Sequence, residues 1–255
     1  MSPIGRRPFY SEYAWAFDLI IDRPVRKECA VIASWLVERG VLPGAEVVDA
    51  GCGTGRYAIE LARRGYRVDG IDVSPELVDV AKRAAAESHG SVSFWVGDIL
   101  DLANERYQAI LCRGVLNDIL DDGERDAVFA SFARALRPGG VLVVDVRDWG
   151  ASVERKSREP LFRKRVSTDR GELTFTAVTA VDRGRRQLLI FESHALVANG
   201  LERVSDYQFV MRCWEREELE VMLARYGFSS VRCFGAYDVH VEAGTTDRIV
   251  SIAQL

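Results

Sequence analysis

A chain of 255 residues, 48% of them hydrophobic, is long enough for one large α/β domain that carries an insertion and a ligand pocket besides its core. Its net charge of -4 lacks the basic footprint of a dedicated nucleic-acid binder. The cysteines (Cys29, Cys52, Cys112, Cys213 and Cys233) are odd in number and show no CxxC spacing, which argues against a disulfide framework and against a zinc site.

In chain order, residues 1–22 mix Arg, Glu and Asp with aromatics and hold no apolar signal core. No run anywhere reaches membrane-spanning length, so the expectation is a cytoplasmic protein without membrane contact. Residues 10–22 read as a short aromatic helix, and 25–39 as a helix with Val25, Cys29, Ile32, Leu36 and Val37 on one face. Strands and helices then alternate: a strand at 46–50, a helix at 56–64, a strand at 67–72, and a helix begun by Ser74-Pro75, where Ser caps and Pro fits the first turn. Strands at 92–96 and 108–113, a helix at 124–136, and a Pro138-Gly139-Gly140 turn into a strand at 141–146 complete the series. This predicts a Rossmann-like, mostly parallel sheet with helices on both faces.

The pattern changes after Trp149. The basic stretch 155–170 reads as a solvated edge or flexible loop. Segments 173–181, 187–197 and 203–211 are rich in Thr, Val and Phe and are separated by turn residues such as Asn199-Gly200, which predicts antiparallel hairpins. A helix at 215–225 and strands at 231–234 and 249–252 close the chain, the last giving an antiparallel end to the sheet. The expected organisation is a single domain over 1–255. In it, 1–40 forms a helical lid region and 151–211 an antiparallel β insertion after the fifth strand that caps a pocket.

The chemistry concentrates at Asp49-Ala50-Gly51-Cys52-Gly53-Thr54-Gly55, where a strand runs into a glycine turn and then a helix. Glycines permit positive φ and close approach of backbone to ligand, and the helix start beyond them offers unpaired N–H groups. Dinucleotide-binding turns place a third glycine one step later, where this chain has Arg56. Asp72, followed by Val73, ends the second strand, where a carboxylate can accept both hydroxyls of a ribose. Asp98 and Ile99 follow the third strand at the height of an adenine ring, and Arg113 ends the fourth. All lie at carboxyl ends of parallel strands, where open α/β sheets bind ligands.

This set resembles the class I S-adenosylmethionine (SAM)-dependent methyltransferases. Residues 49–55 are close to that family's DxGxGxG signature, Asp72 matches its ribose acid, Asp98 its adenine-binding Asp, and the Pro-Gly-Gly turn is a family habit. The resemblance covers about 40–150 strongly. It implies SAM as cofactor, S-adenosylhomocysteine as product, no metal, and methyl transfer to N or O of a small molecule, of the kind secondary metabolism handles. It further implies that Gly51, Gly53 and Gly55 line the methionine and sugar portion, with Asp49 ordering the loop and reaching the amino group.

On the acceptor side, the insertion resembles that of glycine N-methyltransferase-like enzymes, in which an Arg after the fifth strand binds a carboxylate. Arg147 stands at the matching place, and a guanidinium suits bidentate carboxylate binding. That group's Asn early in the loop after strand four is Val115 here, so glycine is not inferred as the acceptor. Asn117 and Asp118 in the same loop, and Tyr10, Tyr13 and Tyr207, are further candidates for the acceptor pocket. Glu192 and His194, two apart, share one strand face, and His194 can serve as a base if that face meets the pocket. The oligomeric state is open between monomer and homodimer. Two rival readings remain at this point: a SAM-binding scaffold without turnover, and an NAD(P)-dependent oxidoreductase. A nucleic-acid methyltransferase is disfavoured by charge and by Asn117-Asp118-Ile119-Leu120, which lacks the Pro-Pro-aromatic loop.

Overall fold

The computed structural model describes residues 7–88 and 90–255; residues 1–6 and His89, which the sequence places in a loop, lie outside the described residues. The chain runs through α1 (Phe17–Ile20), α2 (Val25–Glu38), β1 (Glu46–Ala50), α3 (Arg56–Arg63), β2 (Arg67–Asp72), α4 (Pro75–Ala86), β3 (Ser91–Val96), β4 (Tyr107–Arg113), α5 (Asp122–Ala135) and β5 (Leu136–Val146). Then come α6 (Trp149–Arg158), β6 (Leu161–Thr168), β7 (Gly171–Asp182), β8 (Gln187–Ala198), β9 (Leu201–Arg212), α7 (Arg216–Arg225), β10 (Ser229–Phe234) and β11 (Ile249–Gln254).

Two sheets result. A seven-stranded sheet has the order β10-β11-β5-β4-β1-β2-β3, with β1 to β5 parallel and β11 antiparallel to both its neighbours. Its central strands are apolar on both faces because helices cover both. Val47, Leu111 and Val143 pack under α2, α3 and α4 through Ile32, Ala58 and Val78, whereas Val48, Ile110 and Val144 pack under α5 and α7 through Phe129 and Leu219. Consecutive residues of one strand thus feed two separate cores, as the two-residue period of a strand requires. Ser74 caps α4 as expected: its hydroxyl accepts the Leu77 N–H, with Pro75 in the first turn.

The second sheet is a four-stranded antiparallel meander, β6-β7-β8-β9. Asn199 and Gly200 make its last turn with φ of 52° and 76°, which is why that turn needs Asn-Gly. Its inner face packs on the N-terminal segment: Phe9, Tyr13, Ala16 and Ile20 form one core with Leu173, Phe175, Leu188 and Ile190.

Four readings need correction. The aromatic stretch 10–22 is not one helix but two 3-10 turns, at Pro8–Tyr10 and Ala14–Ala16, followed by the one-turn α1. Val37 is exposed, and Trp35 takes its place in the core. The Pro-Gly-Gly unit does not precede the fifth strand. It forms an irregularity inside β5, where pairing jumps from Tyr107↔Leu136 to Ala109↔Val141. Of the two alternatives for the basic stretch 155–170, the solvated edge holds and the flexible loop does not: it is the end of α6 and the exposed edge strand β6. Among the described residues no helix is long and apolar enough to cross a membrane.

Candidate active site

A cavity of about 460 Å³ opens over the carboxyl ends of β1, β2 and β4, where the strand order reverses direction. Its floor is the loop Gly51, Cys52, Gly53 and Thr54. The Ile71 carbonyl accepts the N–H groups of both Gly51 (2.8 Å) and Cys52 (3.0 Å), which ties the loop to the end of β2. Asp72 completes the tie: its carboxylate accepts the Gly53 N–H and the Ser74 N–H, each at 2.9 Å. Burial raises the Asp72 pKa and these N–H groups oppose the rise. A carboxylate clamped in this way faces the cavity with lone pairs left for two further donors, such as a vicinal diol.

The glycines divide by role. A Cβ at Gly51 would lie 2.1 Å from Val115 Cγ2, so the loop after β4 packs directly on this turn. A Cβ at Gly53 would meet nothing within 4 Å, which leaves an open cradle of backbone toward the cavity. Gly55 is not part of the lining; it starts α3 at φ 77° and abuts Phe94. Gly55→Ala is therefore a packing lesion: its Cβ would sit 2.6 Å from Phe94 Cζ at a φ that disfavours alanine. We expect a loss of about 1–3 kcal/mol in unfolding free energy. An unchanged denaturation midpoint would contradict this.

On one side of the cradle, Val73 and Ile99 line the wall and Asp98 sits exposed at the rim, its carboxylate accepting the Leu100 N–H at 3.0 Å. On the other side lies a dense cationic cluster. Arg113 donates to the Tyr237 hydroxyl (2.8 Å) and its guanidinium lies 3.1 Å from the centroid of the Tyr57 ring. Arg23 and Arg248 join it around the fully buried Asp145, whose carboxyl is held below the usual range by these three cations against the cost of burial. Arg23, Arg113 and Arg248 all line the cavity. Asp49 and Ala50 stand behind the loop, outside the lining: Asp49 accepts the Ala58 N–H in α3, and burial pushes its pKa up to about 6.

One cavity thus brings together an apolar wall, a clamped acid, a glycine cradle and an arginine cluster. Residues 47–140 match the methyltransferase domain family. Over that segment the chain carries a methyltransferase domain. It is 36% identical over 123 residues to a ubiquinone biosynthesis O-methyltransferase from Xanthomonas campestris pv. campestris, a match that covers 47% of this chain and 50% of that protein. The chain thus spans about half the length of the curated relatives it matches. Among solved structures, a SAM-dependent methyltransferase from Clostridium acetobutylicum aligns with a TM-score of 0.77 at 18% identity, over 96% of this chain and 98% of that one. A SAM-bound amino pentose methyltransferase from Micromonospora echinaspora, involved in calicheamicin biosynthesis, aligns at 0.69 with 20% identity, over 96% of each chain. These two likenesses establish the fold.

The methyltransferase domain continues its cavity past the loop after β4. Asn117 lines it but is occupied by its own loop: its Nδ2 donates to the Gly114 carbonyl (3.0 Å) and its Oδ1 accepts the Arg147 N–H (2.9 Å). Asp118 differs. The residue lines the cavity, and its Oδ1 is buried with no hydrogen-bond partner. Burial pushes its pKa up to about 6, opposed by the charges of Arg7 and Arg147. Arg147 lines the same region, donating to Asp247 (2.8 Å), a carboxylate it shares with Arg155, and lying 3.1 Å from Met211 Sδ. Tyr10 also lines this end; its hydroxyl accepts from Arg7 Nη1 at 2.6 Å, and Arg7 is in turn bound by the buried Glu192.

Three of the residues predicted for the acceptor side also lie off the cavity. His194 does share a face of β8 with Glu192, but that face packs against the N-terminal segment. Its ring stacks on Tyr13 at 4.6 Å and is enclosed by Phe9 and Phe175. It is fully buried, and burial together with the Arg7 charge lowers its pKa to about 4, so it is a neutral core residue. Tyr13 is buried with it, and Tyr207 lies in β9 stacked on Phe209, outside the lining. Conversely, Arg7, Arg23, Tyr57 and Arg248 line the cavity and had no motif to reveal them. Ser74 was readable only as a helix cap; its hydroxyl also donates to the Tyr10 carbonyl.

Proposed function

We propose that this chain transfers the methyl group of SAM to a hydroxyl or amine of a small, soluble acceptor, in the cytoplasm. The observation that carries the reading is one continuous cavity lined both by the Asp72–Gly53 cradle and by the part-buried carboxylate of Asp118. In this reading Asp72 takes the ribose hydroxyls, Val73 and Ile99 flank the adenine with Asp98 at its amino edge, and the Arg23/Arg113 side takes the carboxylate. SAM supplies a methyl group already activated by its sulfonium. The protein has to hold the acceptor atom in line and exclude water.

Asp118 accepts the hydrogen bond of the acceptor's O–H or N–H and takes its proton as the methyl arrives. A pKa of about 6 leaves it ionised at neutral pH yet basic enough to be useful. Arg147, whose partner Asp247 is shared with Arg155, keeps a cationic face toward the cavity and anchors an acceptor oxygen, that of a carboxylate included. The 7–23 segment and the β6–β9 sheet serve as lid and cap.

The direct test is incubation with methyl-labelled SAM and a panel of phenols, amino sugars and amino acids. Labelled product and S-adenosylhomocysteine are expected with a hydroxyl or amine acceptor. SAM binding without turnover on any of them would favour a non-catalytic scaffold. Arg147→Ala should raise the acceptor KM roughly tenfold, the order of one lost charged hydrogen bond, with SAM affinity unchanged. Acceptor kinetics equal to the parent's would remove Arg147 from the acceptor site.

A further inference from the structure

The four-stranded sheet has two unlike faces. Its inner face is buried under the N-terminal segment. Its outer face is left open: Leu161 is 57% exposed, Val178 42%, Phe191 45% and Val204 54%. Cross-strand partners point the same way: Leu161, Val178 and Phe191 form one row, Ala180, Leu189 and Val210 form the adjoining row on the same face, and Val204 lies apart, beyond the row of Thr176 and Ser193. The two apolar rows therefore form a contiguous strip rather than scattered single residues, and such strips mark interaction surfaces.

Charge flanks the strip asymmetrically. β6, at one edge, presents Arg163 and Arg165 outward; β9, at the other, presents Glu202 and Asp206. The register places Arg163 and Asp206 in one row, through Arg163↔Thr176, Thr176↔Ser193 and Ser193↔Asp206. We infer that a second copy of this chain docks on this face, related by a two-fold axis parallel to the strands.

The choice of axis follows from the layout. Rotation about a line along the strands lays β6 over the partner's β9 and keeps each row in register. Arg163 then meets the partner's Asp206, and by symmetry the reverse contact forms too. A two-fold axis across the strands would lay β6 on β6 and oppose arginine to arginine. Four strands at about 4.8 Å spacing and about 3.3 Å per residue present a face of roughly 700 Å². That is close to the ~800 Å² per partner of a stable interface, with two apolar rows beside a row that is charged at both edges. The inference stands independently of the proposed reaction.

Analytical ultracentrifugation of the intact chain over a concentration series tests it. The parent is expected to sediment as a dimer and Phe191→Asp as a monomer with unchanged circular dichroism. Arg163→Asp and Asp206→Arg should each weaken the dimer at least roughly tenfold, since each sets like charges opposite one another. Mixed together, these two variants should recover association, because a heterodimer restores both contacts. A parent that stays monomeric throughout would overturn the proposal. So would a dimer unaffected by Phe191→Asp, or variants that fail to complement.

Discussion

Replacing Asp72 with alanine should raise the dissociation constant for S-adenosylhomocysteine by roughly ten- to a hundredfold, about 1–3 kcal/mol for charged hydrogen bonds lost from a buried site. The effect has two parts. The ribose loses its acceptor, and the Gly53 and Ser74 N–H groups lose theirs, so the cradle itself slackens. Asp72→Asn separates them. An amide oxygen still accepts one N–H, so the loop is held while the charge is gone, and an intermediate loss is expected. Calorimetric titration of both variants reads the difference. Unaltered affinity in Asp72→Ala would remove this residue from the cofactor site.

Asp118→Asn should lower kcat by about 10²–10⁴-fold, the usual contribution of a positioned general base, and leave S-adenosylhomocysteine affinity within error of the parent. The pH dependence gives a second readout. Burial raises the pKa of Asp118 to about 6, so the base is protonated and idle below that pH and ionised above it. Activity of the parent should therefore fall as the medium is acidified through about 6. The residual activity of Asp118→Asn should lack that limb. An acid limb that persists in the variant would assign the titration to another group, of which the buried Asp49, also near 6, is the first to examine.

The mostly parallel sheet and the glycine turn were legible in the sequence because both depend on local patterns. Five apolar runs separated by helical spacing force a covered parallel sheet, and glycines at 51, 53 and 55 announce a tight strand-to-helix turn. The glycine pattern did not say which glycine meets the ligand and which meets the core; Phe94, far along the chain, decides that for Gly55. The lining of the cavity beyond that turn was legible only in part. Asp118 sits on a loop anchored to β4, so its position followed from the fold. His194 was placed on the correct strand face, but what covers that face is set by Phe9 and Tyr13, nearly two hundred residues away, and no periodicity encodes such a contact. Arg23 and Arg248 reach the cavity by the same long-range route, through their shared charge partner Asp145.

One titration bears most directly on the whole account. The purified chain is titrated in a calorimeter with SAM, with S-adenosylhomocysteine and with NAD(P)H under identical conditions. Saturable binding of the first two, lost or sharply weakened in Asp72→Ala, together with no heat of binding from NAD(P)H, is the expected result. Binding of NAD(P)H in preference to SAM, or no binding of SAM at all, would contradict the assignment of this cavity.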